Sequence, residues 1–216
     1  MGINESIKSS VLEVYKDELI SLYVYGENYL RDNEQHHVLI VLKSVSVHQI
    51  QAQAKQKSLF KEGAQFSIFT EKELRDSVDV FPIEFLLMNR SRQLLFGMDI
   101  LDQLQVSLSN LRHECEYTLR SNILKLRSAL LIPKVDLKGL ISQSAPVFFA
   151  SFGCFFVLLS RDFPATSQLF FTELSALTKV SLEDFVSVLN KKKIDEADFQ
   201  LYIDTLVALI DFINDI

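Results

Sequence analysis

The sequence predicts an α+β fold, a small mixed sheet followed by an all-helical bundle, and three observations carry that expectation. Before residue 106, short β-rich apolar runs alternate with helical stretches; after it, apolar residues recur almost everywhere at helical spacing. The 216 residues suffice for one medium domain or two small ones, so the switch divides the chain into 1–106 and 107–216. A hydrophobic share of 48% against 23% charged residues is that of a globular protein, which excludes a disordered or collagen-like chain.

A first helix is expected over residues 5–18, where Ile7, Val11, Val14 and Tyr15 recur on one face. Residues 20–25 (ISLYVY) are β-branched and aromatic and stop at Gly26, which reads as a strand. Residues 38–42 (VLIVL) form an uninterrupted apolar run of strand length, as in a central strand covered on both faces. Between them lies a long polar loop, 26–37, of the kind that often carries function. Residues 47–59 read as a helix with Val47, Ile50, Ala54 and Leu59 inward, and 65–69 alternate as a strand. Thr70 and Glu73 have capping-box spacing, so a short helix should start there. Phe81-Pro82 breaks it, and 83–88 (IEFLLM) read as a further strand with one acid inside, Glu84.

In the second half, Leu111, Cys115, Leu119, Ile123, Leu126 and Leu130 step by four and three along one long amphipathic helix. Further helices are expected at 136–143, 146–159, 166–178, 182–190 and 195–214. The most apolar stretch, 145–159, falls short of the about twenty residues a bilayer requires. It reads as a helix buried inside a bundle, and no membrane association is expected. Eight phenylalanines crowd 148–171, more aromatic surface than a helix pair usually buries, and predict a homodimer through the helical half.

The order helix, strand ending in Gly26, polar loop, apolar strand, then an acid further on resembles the polymerase-β-like nucleotidyltransferase superfamily. The run Asp79-Val80-Phe81-Pro82-Ile83-Glu84-Phe85, the Leu95-Phe96-Gly97 after it and the helix 111–131 are similar to a bacterial group of nucleotidyltransferase-like proteins with a helical C-terminal half. That half resembles the helical domain of kanamycin nucleotidyltransferase and the HEPN partners of minimal transferases. In the superfamily the first strand ends in Gly-Ser, the second begins with Asp-x-Asp, and a third carboxylate stands on a neighbouring strand. Three carboxylates there converge on two divalent cations that stabilise charge on a triphosphate during in-line displacement.

The resemblance implies site residues that depart from this pattern. Gly26 matches the glycine and Glu27 stands at the serine, the two nucleotide-binding positions. Gln35 and His37 occupy the positions of the two aspartates, and Glu84 is the candidate for the third carboxylate. A neutral amide and an imidazole supply none of the negative charge that holds magnesium. The resemblance therefore implies a nucleotidyltransferase-like protein with a degenerate catalytic motif, acting as a binding or regulatory module with a nucleotide as its ligand. One alternative is an active transferase moving a nucleoside monophosphate from a triphosphate with Mg2+; another is a structural or interaction protein.

Other chemistries find no support. His36 and His37 are adjacent and would face opposite sides of a strand, and His48 and His113 lack partners at ligand spacing, so no metal site is expected. Cys115 and Cys154 read as buried thiols in a reducing compartment. The net charge of −6 argues against a nucleic-acid partner. Residues 1–10 contain no apolar segment of a secretory signal, and a cytoplasmic location is expected.

Overall fold

The structure, a computed structural model, describes residues 3–26, 37–55, 65–164 and 166–215. Its contacts separate two compact units, Met1–Ser107 and Leu108–Ile216. The first contains α1 (Ile3–Tyr15), β1 (Leu19–Tyr25), β2 (His37–Leu42), α2 (Val47–Ala54), β3 (Gln65–Thr70), α3 (Glu71–Asp76), α4 (Pro82–Ser91) and β4 (Gln93–Gly97). Its strands form one mixed sheet in the order β3-β2-β1-β4. β1 pairs antiparallel with β2 and β4, and β2 runs parallel to β3.

Two layers cover this sheet, which is why the run 38–42 is apolar on both sides. On one face Ile7, Val11 and Tyr15 of α1 pack on Leu22, Val24, Val38, Ile40 and Leu42. On the other, Tyr23, Leu39 and Val41 meet Leu74 of α3 and Phe85 and Met88 of α4, joined by Ile100 and Leu101. The Thr70–Glu73 capping box forms in full: the Glu73 N–H donates to the Thr70 hydroxyl, and the Glu73 carboxylate accepts from the Thr70 N–H at 2.8 Å.

Two expectations for this unit need correcting. Residues 83–88 are not a strand but the middle of α4, and the strand that completes the sheet is β4, some ten residues later. A short unbroken apolar run fits a buried helix as well as a strand, and Pro82 at the first turn fixes φ for a helix and lacks the N–H that turn would leave unpaired. Glu84 thus needs no compensating partner, because α4 presents it to solvent. In α2 the inward face is rotated: Val47 is 71% exposed, whereas Gln53 is 3% exposed and donates to Ser10 of α1 at 3.2 Å. Eight helical residues hold too few turns for periodicity to fix the buried face.

Past β4 the chain folds back across the sheet. Gly97 has φ +84°, and a Cβ there would lie 1.8 Å from the Ile20 carbonyl oxygen, so only glycine permits this approach. Ser21 and Tyr23 donate to the Met98 carbonyl at 2.6 and 3.0 Å, and the Tyr23 hydroxyl accepts from the Ile100 N–H at 2.7 Å. Arg92 holds Asp99 at 3.0 Å. Burial pushes the Asp99 carboxyl up, but the hydrogen bonds and charge of Arg92 outweigh it and leave its pKa below the ordinary carboxylate value.

The second unit contains α5 (Leu108–Ala129), α6 (Leu137–Leu158), α7 (Ser167–Thr178), α8 (Glu183–Asn190) and α9 (Glu196–Phe212). α5 buries the stripe Leu111, Cys115, Leu119, Ile123 and Leu126, while Leu130, expected to continue it, lies past the helix end and is exposed. Residues 136–143 and 146–159 are not two helices but one, with Pro146 inside it. The proline is on the exposed side, and the buried face on either side of it, Ile141 and Ala145 before, Phe148 and Phe152 after, keeps the helix continuous. α6 is long and apolar enough to cross a membrane, but here its residues build the core of the bundle.

The aromatic crowding is largely absorbed within this unit. Phe148, Phe149, Phe152, Phe155, Phe156 and Phe170 are buried, and Phe163 and Phe171 are half-buried. Phe148 meets Tyr202 edge-on at 6.4 Å, Tyr202 stacks on Phe185 at 5.3 Å, and Phe155 contacts Phe212 at 5.8 Å. The Tyr202 hydroxyl is paired with that of Ser144 at 2.9 Å.

Candidate functional site

The polar residues of interest gather where β1 ends and β2 begins. Antiparallel register sets Tyr25 opposite His37, and parallel register sets His37 beside Gln65 and Leu39 beside Ser67. Because strand side chains alternate, Tyr25, His37, Gln65 and Ser67 share the sheet face covered by α4, the face of Leu39, Val41 and Phe69. The Tyr25 and His37 rings lie 5.3 Å apart, and the Tyr25 hydroxyl is 3.4 Å from that of Ser67. Gly26 ends β1 with φ +102°, and its N–H donates to Ser91 at the end of α4, 3.0 Å away. Ser91 in turn donates to the Leu87 carbonyl at 3.1 Å.

These side chains are electrically neutral near pH 7. Burial lowers the pKa of His37 from 6.5, so its imidazole offers one donor and one acceptor and no cation. Tyr25 is held protonated: burial raises its pKa most, the Ser67 hydrogen bond lowers it, and the charge of Glu84 raises it again. An imidazole, a phenol, a hydroxyl and an amide can hydrogen-bond and stack on an uncharged aromatic or polar group. They cannot supply the anionic oxygens that magnesium takes as ligands.

His37 is the first residue of β2, and Gly26 directly follows the last residue of β1. Gln35 and Glu27 lie outside the described residues. Glu84, expected on a strand, sits on α4 instead, where its charge still acts on Tyr25. The strands that flank β2, LISLYVY and QFSIFT, hold no acid, and neither does β4, QLLFG. Among the described residues no group of three His, Cys, Asp or Glu could hold a metal ion. Reading the sequence alone missed Tyr25, Ser67 and Ser91. Tyr25 adjoins the flagged glycine and Ser67 is an inner polar position of an alternating strand, but which strands pair was not visible in the sequence.

No protein-family model matches the chain, and no curated protein is significantly similar to it in sequence. Among solved structures, a spectinomycin adenyltransferase, AAD(9) from Enterococcus faecialis, with ATP and spectinomycin, is similar with a TM-score of 0.62 at 11% identity. The match covers 98% of this chain and 98% of that one. The fold is nucleotidyltransferase-like. A structure of a mutant of the toxin-antitoxin MntA-HpeT gives a TM-score of 0.32 at 14% identity over 48% of this chain and 79% of that one. On this nucleotidyltransferase-like fold, Tyr25, Gly26, His37 and Ser67 cluster at the junction of the first two strands, with the Glu84 carboxylate near enough for its charge to act on Tyr25.

Proposed function

We propose that this nucleotidyltransferase-like protein binds a nucleotide at the β1–β2 junction without transferring it, and works as a binding or regulatory module. The observation that carries this reading is the absence of any acid from the four strands β1–β4, in a superfamily whose reaction needs carboxylates on adjacent strands to hold two cations. Gln35 and His37 at the paired-aspartate positions support it. A nucleotide is the ligand class because the similar adenyltransferase structure contains ATP, and because the Tyr25 and His37 rings offer faces and hydrogen-bonding edges suited to a base. The described residues of the cluster do not fit magnesium, which takes anionic oxygen ligands.

Isothermal titration with each nucleoside triphosphate, with and without magnesium, tests the reading. The expected outcome is binding of at least one triphosphate with an affinity independent of magnesium, and no release of pyrophosphate. Magnesium-dependent pyrophosphate release by the unmodified chain would overturn it, and so would the absence of heat with every triphosphate. The combined variant Glu27→Ser, Gln35→Asp, His37→Asp and Ser67→Asp, which restores the serine and puts acids on β3 as well as before and within β2, should gain magnesium affinity.

A further inference from the structure

Beside the neutral groups of the β1–β2 junction stands one carboxylate, that of Glu84, and the packing of α4 explains why it is there. Phe85 and Met88 of α4 pack in the apolar cluster that Tyr25 borders, and Phe85 meets Phe69 of β3 at 6.5 Å. Ser67, whose hydroxyl the Tyr25 hydroxyl reaches, lies two residues before Phe69 on the same face of β3. Glu84, Met88 and Ser91 are spaced by four and three, so they form one row along α4. The Ser91 end of that row is fixed at Gly26, which leaves the Glu84 end on the side where Tyr25 and Ser67 meet. The charge of Glu84 is accordingly felt by the Tyr25 phenol. The Glu84 side chain is exposed, and no described residue pairs with its carboxylate.

Building on nucleotide binding at the β1–β2 junction, which this assignment requires, we propose that Glu84 selects the base of the nucleotide and that the base is guanine. A phosphate facing Glu84 would meet like charge, so the base end is the one turned toward it. An ionised carboxylate only accepts hydrogen bonds, and it does so through two oxygens side by side. Guanine carries two parallel donors on one edge, its N1–H and its N2 amino group, which satisfy both oxygens at once. Paired bonds of this kind to a charged group are the strong ones. Adenine and cytosine set their one amino donor next to a ring nitrogen whose lone pair would face the second oxygen. Uracil holds its one N–H between two carbonyls, and hypoxanthine keeps N1–H but lacks the amino group. The Tyr25 and His37 rings offer surface to any of these bases, so discrimination falls to Glu84.

Isothermal titration of the full chain with the triphosphates of guanosine, inosine, adenosine, cytidine and uridine tests the assignment. Guanosine triphosphate should bind about tenfold or more tighter than those of adenosine, cytidine and uridine, the scale of a hydrogen bond to a charged group, with inosine between. In Glu84→Gln an amide N–H replaces one acceptor, and the preference for guanosine should fall below about threefold. Its circular dichroism spectrum should match that of wild type, because the side chain is exposed. Equal affinity for all five would overturn the role of Glu84 and leave nucleotide binding standing, whereas no binding of any triphosphate would overturn both. Preference for another base, or a guanosine preference that survives Glu84→Gln, would likewise overturn the assignment.

Discussion

His37 shows how one residue's surroundings set its chemistry. It opens β2 half-buried beside the Tyr25 ring, and burial lowers its pKa from 6.5. The folded imidazole therefore resists a proton that the unfolded chain accepts. Below about pH 6.5 the unfolded state binds more protons, so stability falls as pH drops through that value toward the lower folded pKa. The contribution is fully present above this window. In urea titrations taken from neutral pH down to about pH 5, wild type should lose midpoint more steeply than His37→Gln. Equal slopes would mean that the imidazole is no more desolvated in the fold than out of it. The same neutrality at pH 7 makes His37 a hydrogen-bonding partner and not a phosphate counter-charge.

Among the elements, β4 depends most on a single position. Gly97 closes its pairing with β1 at Ser21, and the following residues are then pinned by Ser21, Tyr23 and Arg92. Alanine there would need a left-handed backbone angle and would drive its Cβ into the Ile20 carbonyl. Gly97→Ala should cost the N-terminal unit about 3 kcal/mol or more, measured by chemical denaturation followed through tyrosine fluorescence. A loss under about 1 kcal/mol would show that β1 and β4 can part without disturbing the rest of the unit. The helix α4 teaches a different lesson: the acid that looked anomalous inside a strand, Glu84, is ordinary on the exposed side of a helix.

At the scale of the whole molecule, charge and core composition set what the protein can meet. Its net charge is −6, and Arg112 and Arg120, two of the bases on α5, are engaged with Glu116. Fluorescence anisotropy with single- and double-stranded DNA at physiological salt should show no saturable binding. Saturable binding that weakens with salt would identify a basic surface that the net charge conceals.

Much of this organisation is local in origin and was legible in the sequence. The switch from β-rich runs to sustained helical period marks where the strands stop; β1 and β2 fall within a residue of their expected bounds, and the Thr70–Glu73 cap forms as its spacing requires. The long stripe of α5 was equally plain, since five buried residues at steps of four and three admit no other reading. Tertiary structure alone decided the rest. For 83–88 the local signal of Pro82 was open to either reading and packing settled it; neighbours in space turned Gln53 of α2 inward, carried α6 through Pro146, and brought Tyr25, His37 and Ser67 to one sheet face. Periodicity records which side of an element is buried when the element is long enough to repeat. Register and strand order depend on contacts between residues tens of positions apart, and no local pattern encodes them.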